Sequence, residues 1–295
     1  MKRVDLHAYW DDKRMSIETM LACMHSAGID RAVLSSPCTK DFEPDKSPFM
    51  YTVQRVLLRS DWLRPIAELI SASFYDSRGR LRPWWRLFTR SGKPINKVIE
   101  PDNAGLLRVI EPHPQLSAWL WLNPHAMPAP DELKILVAHP RVAGIKLHAY
   151  WHRFPYEDAR DIFSLAKDSG LSVYLILNFG WLESVATLLK EFPGVRVVFG
   201  YCGMPYFDAL WREIKPFENA FVDFTSNHID NNGIAAAVAA LGPERCLYGS
   251  DCPYNFPDAA GVFDYSSNIQ RVKASLPQEA DERLVFELNA ERLLR

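Results

Sequence analysis

The chain has 295 residues, 48% of them hydrophobic and 24% charged, with a formal net charge of -2. That is enough apolar material for one large core, and the charge balance excludes nucleic acid or a membrane surface held by bulk electrostatics as partners. Its 5 cysteines are scattered rather than framed for disulfides, and no stretch reads as a leader or a membrane span, so the expected setting is a reducing cytoplasm.

In chain order, residues 3–8 read as a strand, 16–27 as a helix and 31–35 as a second strand. Residues 37–114 interrupt this pattern and are rich in Arg, Trp and Pro, as in LRPWWRLFTR at 81–90. They read as an inserted, mostly helical cap, acting either as a lid over the site, with Trp84, Trp85 and nearby arginines closing on an anion, or as a solvated or dimer surface. Regular alternation then resumes. Strands are expected at 115–122, 142–148, 172–178, 195–200, 220–223 and 246–248, and helices at 130–138, 156–168, 182–191, 206–212 and 232–241. Continuous apolar strands alternating with amphipathic helices imply a parallel sheet covered by helices. Eight such strands favour an α/β protein of the (β/α)8 TIM barrel type, in one domain spanning 1–295, with the cap inserted within it.

Barrel enzymes carry their chemistry at the carboxyl ends of the strands. There the sequence places Asp5, His7 and Tyr9, then Lys146 and His148, Asn178, Tyr201 and Cys202, Asp223 and Thr225, and Asp251 and Cys252. Burying each polar group without a partner costs roughly 1–3 kcal/mol, so folding alone does not explain the set. Asp251 reads as a general base, against an Asp that merely caps the next turn. Lys146 would anchor a carboxylate or polarise a carbonyl, against a structural ion pair, and His148 shares its strand face. His7 reads as a metal ligand, an acid–base group, or an imidazole paired with Asp251. Tyr9 and Tyr201 are candidate donors to a substrate oxygen or an oxyanion, and Asn178 a candidate substrate contact. Tyr150, Trp151 and His152 are candidate pocket walls. Cys202 and Cys252 read mainly as inert buried thiols.

Several segments resemble a known family: VDLHAY at 4–9, AGIDRAVLSSP at 27–37, LNP at 122–124, GIKLH at 144–148, FPGVRVVFGYCGM at 192–204, LYGSDCP at 247–253 and LNAERLL at 288–294. In this order they are similar to the second amidohydrolase family, the group of aminocarboxymuconate-semialdehyde decarboxylase-like enzymes and related lactonases. The resemblance implies one divalent metal, usually zinc, held by a His-x-His pair on strand one, a His on strand five and an Asp on strand eight, with a His on strand six as acid or base. His7 and Asp251 match. Tyr9, Asn178 and Tyr201 stand where the remaining histidines are expected. A catalytic zinc needs three protein ligands, so the expected cofactor is none, or a single weakly bound zinc at His7 and Asp251. The resulting expectation is a lactonase-like hydrolase of a small carboxylated molecule, independent of metal or weakly dependent on it. The alternatives are a metal-dependent decarboxylase and a catalytically inactive barrel that binds a ligand or partner. Barrels of this kind are often dimers, so a homodimer is compatible with the sequence, which does not itself fix the oligomeric state.

Overall fold

The structure, a computed structural model, describes residues 1–40, 48–74, 97–225, 227–256 and 263–294. Eight strands form one sheet in chain order: β1 (Val4–Tyr9), β2 (Arg31–Ser35), β3 (Leu116–Trp121), β4 (Val142–His148), β5 (Ser172–Ile176), β6 (Val197–Phe199), β7 (Ala220–Asp223) and β8 (Cys246–Leu247). Every neighbouring pair is parallel. The first and last strands meet: Leu6 N donates to Tyr248 O at 3.0 Å and Tyr9 N to Cys252 O at 2.7 Å. The sheet is thus a (β/α)8 TIM barrel, as the alternation of elements implies.

The helices between strands begin and end where local chemistry requires. Ile17–Ala27 is capped by Ser16, whose hydroxyl accepts from Thr19 N, and stops at Gly28 in the left-handed conformation. Asn103–Ile110 is capped by Asp102 and packs on β2 and β3, so it is the barrel's own helix at the end of the inserted stretch. Helices Pro48–Arg59 and Arg64–Phe74 lie before it. The LRPWWRLFTR segment, with Trp84 and Trp85, lies outside the described residues.

Two strands are shorter than their apolar runs suggest. β5 stops at Ile176 and leaves Asn178 in the following loop; β6 stops at Phe199 because Tyr201 and Cys202 take positive φ of 53° and 55°. Apolar character continues past the point where the ladder ends. The core has two layers. One lies between strands and helices. The other fills the barrel with Leu6, Val33, Trp119, Tyr174, Val198 and Leu247, closed below by Leu293 and Leu294.

Candidate active site

Inward-facing positions change from apolar to polar toward the carboxyl ends of β4 and β7. β4 presents Lys146 and His148, and β7 presents Phe221 and then Asp223. On β1 the register shifts between Asp5 and Ala8, so that His7 and Tyr9 follow Leu6 into the interior. Gly249 lets the end of β8 approach: a Cβ there would collide with Thr225 Oγ1 and lie 2.9 Å from His7 Cβ. Asp5 fastens the β1–β8 seam by accepting from His7 N at 3.1 Å, Ser250 N at 3.0 Å, Ser250 Oγ at 2.5 Å and Tyr265 OH at 3.0 Å. Burial raises Asp5 to about 6 despite these donors.

His7 is the hub. Its Nδ1 lies 2.5 Å from Tyr174 OH, 3.2 Å from Thr225 Oγ1 and 3.3 Å from Asp223 Oδ2. Tyr174 and Thr225 also donate to that same carboxylate oxygen. Burial pushes Asp223 up, but its bonds from His7, Thr225 and Tyr174 outweigh this and hold it below the usual carboxylate range. An anionic carboxylate only accepts, which assigns the imidazole proton to Nδ1 and leaves the Nε2 lone pair facing the barrel centre. Lys146 Nζ lies 3.0 Å and Tyr9 OH 3.1 Å from Nε2. Burial, and then the charge of Lys146, lower His7 to about 4, so the ring is neutral.

Lys146 is fully buried. It donates to Tyr9 OH at 2.9 Å and lies over the faces of Tyr9, Trp121 and Tyr174, at 4.1, 4.7 and 5.2 Å from the ring centroids. Burial lowers its pKa to about 7, with Asp251 the strongest opposing charge. Asp251, in the left-handed conformation with φ of 63°, accepts from Tyr201 OH at 3.1 Å through Oδ1 and from Asn255 Nδ2 through Oδ2. Its Oδ1 is 3.9 Å from His7 Nε2. Burial raises it to about 7, against the lowering effects of Lys146, Tyr201 and Asn255. Tyr201 OH is 3.5 Å from Tyr9 OH; burial and then Asp251 push both phenols well above the usual range, so they act as donors. Asn255 also accepts from Tyr51 OH at 3.4 Å, a link from the inserted helices to the base.

The structure therefore brings together His7, Tyr9, Lys146, Tyr201 and Asp251. His148 stands one step outward: its Nδ1 accepts from Trp151 N at 3.3 Å and its ring stacks on Trp121 at 5.3 Å. Burial and then Lys146 hold it neutral, well below its ordinary value. Trp151 packs against the cluster of Tyr9, Cys38 and Trp121, and His152 tilts onto Trp121 at 5.9 Å. Tyr150 lies beneath the Arg153 guanidinium and Asn178 accepts from Arg153 at 3.3 Å, so these two side chains meet Arg153 in the loops rather than the His7 centre. Burial pushes the Cys202 and Cys252 thiols well above the ordinary range, and Cys252 donates to Met15 Sδ, so both are inert. Sequence reasoning missed Tyr174, Trp121 and Asn255 as site residues. Tyr174 pairs with Lys146 in the β4–β5 register, a parity signal hidden inside an apolar run.

The amidohydrolase family model matches residues 97–295. The chain belongs to the amidohydrolase family. Among solved structures, this amidohydrolase is similar to a probable 2-pyrone-4,6-dicarboxylic acid hydrolase from Acinetobacter baumannii with citric acid bound (14% identity, 99% of each chain covered, TM-score 0.61). It is similar to 2,6-dihydroxybenzoate decarboxylase from Rhizobium (16% identity, covering 99% of this chain and 98% of that one, TM-score 0.58). A third is an amidohydrolase from Burkholderia multivorans with bound zinc (13% identity, 100% of each chain covered, TM-score 0.58). At these identities the likeness establishes the fold. No curated protein is similar enough to count as a match.

The residues present do not fit the divalent ion that the family resemblance implies. Among the described residues, no three His, Cys, Asp or Glu side chains group so as to hold a metal. The Nε2 atom that would face the ion faces the Lys146 ammonium instead.

Proposed function

We propose that this amidohydrolase opens an ester-type ring in a small, carboxylated substrate, a lactonase-like hydrolysis without a metal-bound nucleophile. The observation that carries this reading is Asp251: a buried carboxylate at the barrel mouth, near neutrality in pKa, hydrogen-bonded to Tyr201 and Asn255 and 3.9 Å from His7. A group of that pKa takes and returns protons at neutral pH. Asp251 takes a proton as water attacks the carbonyl carbon. The developing oxyanion is met by the Lys146 ammonium and by the Tyr9 or Tyr201 phenol, both built in before the reaction. The C–O bond then breaks, and the leaving oxygen recovers the proton from Asp251, giving a hydroxyl and a carboxylic acid that releases its proton to solvent as the carboxylate. The similarity to a probable 2-pyrone-4,6-dicarboxylic acid hydrolase supports the substrate class.

One observation favours decarboxylation as a second reading. Tyr9, Trp121 and Tyr254 form an aromatic wall beside Lys146, and a similar fold belongs to a dihydroxybenzoate decarboxylase. A hydroxylated aromatic acid would fit such a wall. The inert-barrel reading loses support because His7, Lys146 and Asp251 converge instead of pointing apart.

The test is a panel of carboxylated lactones and hydroxybenzoates, followed by ultraviolet loss of the ring chromophore and by carbon dioxide release. Ring opening without carbon dioxide is the expected outcome. Asp251→Asn should lower that turnover by about 10²–10⁴-fold while the protein stays folded. Carbon dioxide release would select the second reading, and turnover unchanged by Asp251→Asn would remove Asp251 from the mechanism.

A further inference from the structure

The lone-pair side of His7 is where a metal-binding imidazole would reach its ion. In this chain that side is already filled. Lys146 Nζ lies 3.0 Å from Nε2, and the same ammonium donates to Tyr9 OH at 2.9 Å. Asp251, the second matching ligand, turns one oxygen to Tyr201 and the other to Asn255. The ammonium is buried and lies over the faces of Tyr9, Trp121 and Tyr174. A positive charge is thus supplied to the centre by covalent structure rather than by coordination.

We propose that the Lys146 ammonium stands in the place of the divalent ion, filling the Nε2 position of His7 and excluding a metal from the His7–Asp251 pair. It follows that Tyr9 and Asn178, standing where ligand histidines are expected, are only part of why a metal is kept out. Adding a ligand is not enough while the cation remains. Two like charges a few ångström apart in a buried site repel strongly, because little solvent screens them. A neutral side chain at position 146 removes that repulsion and frees the Nε2 lone pair at once. The inference rests on the geometry around His7 and does not depend on which reaction is catalysed.

The experiment compares four chelator-treated proteins: wild type, Tyr9→His, Lys146→Met with Tyr9→His, and that double variant with His7→Ala added. Tyr9→His brings a second imidazole beside His7 and Asp251, giving the three donors that a zinc ion takes. Each protein is dialysed against zinc chloride, bound zinc is measured by elemental analysis, and a thermal melt with and without zinc gives an independent readout. Circular dichroism establishes folding; if Lys146→Met does not fold, Lys146→Gln takes its place. The expected result is near-stoichiometric zinc in the double variant, bound about tenfold tighter or more than in Tyr9→His alone and lost with His7→Ala. Wild type should neither retain zinc nor be stabilised by it. Three results would each overturn the proposal: His7-dependent zinc in wild type, equal affinity in Tyr9→His with Lys146 intact, or no zinc in the double variant.

Discussion

Tyr201 and Asp251 form the contact on which the pH response of the site turns. The carboxyl of Asp251 is raised to about 7 by burial, and Tyr201 is among the groups that restrain the rise. In the proposed hydrolysis the base must be ionised and Lys146 charged, so the rate climbs on the acid side of about 7 as Asp251 ionises and falls on the alkaline side as Lys146 loses its proton. Tyr201→Phe removes one hydrogen bond from the ionised form, which moves the acid limb of the pH–rate profile to higher pH. A fall in kcat with the limb unmoved would show that Tyr201 serves only as a donor to substrate. At this scale the sequence singled out His7, Tyr9, Lys146, Tyr201 and Asp251, which the structure groups, because strand-end polar residues have few structural reasons to be there. It did not disclose Tyr174 or Trp121, whose direction depends on a register that only the neighbouring strands define. Tyr150 and Asn178, expected as substrate contacts, lie beyond their strand ends, where the structure sets both against Arg153. Closeness in sequence to a strand end does not fix where a loop side chain points.

At the scale of elements, the site depends on how closely β8 passes β1 and the loop after β7. Gly249 marks the closest point, where a methyl would strike Thr225 and crowd His7 and Asp223. Gly249→Ala therefore forces either the strand end or the Asp223–His7–Thr225 bonds to shift. Overpacking of this kind costs about 1–3 kcal/mol. The expected outcome is a lower urea midpoint with an unchanged m-value, together with reduced turnover. A variant as stable and active as wild type would mean that the strand end yields freely. The glycine's role was not legible beforehand, since a Gly-Ser-Asp run reads equally as a turn. The strands themselves were legible as apolar runs, and their ends were not. The ladder at β6 stops where positive φ at Tyr201 and Cys202 turns the chain, a feature that hydropathy does not encode. That turn is also what delivers the Tyr201 phenol to Asp251.

For the whole molecule, the order of eight strands followed from periodicity, whereas closure did not; it rests on the hydrogen bonds between β1 and the residues after β8. Closure withdraws the strand-end groups from bulk solvent, and two ionisable groups there oppose each other in their effect on stability. Asp251 has an ordinary value near 3.8 and is raised to about 7, so the folded state holds its proton more tightly, and the stability this gives at low pH is lost as pH rises through that window. Lys146 has an ordinary value near 10.5 and is lowered to about 7, so the folded state binds this proton more weakly. Its burden is full below about 7 and lifts as pH rises from there toward 10.5. The two together place the greatest electrostatic load near neutrality, where the proposed chemistry needs both charges. Lys146→Met removes the buried cation while keeping an unbranched side chain among Tyr9, Trp121 and Tyr174. Removing the desolvated ammonium relieves the burden that its lowered pKa records, offset in part because Asp251 loses its strongest opposing charge. The variant should therefore unfold at higher urea concentration than wild type near pH 7, with the gain shrinking steadily as pH is raised toward 10. A gain that does not vary with pH would assign the effect to packing instead of charge, and a loss at every pH would mean that the ammonium's bonds to His7 and Tyr9 outweigh its desolvation.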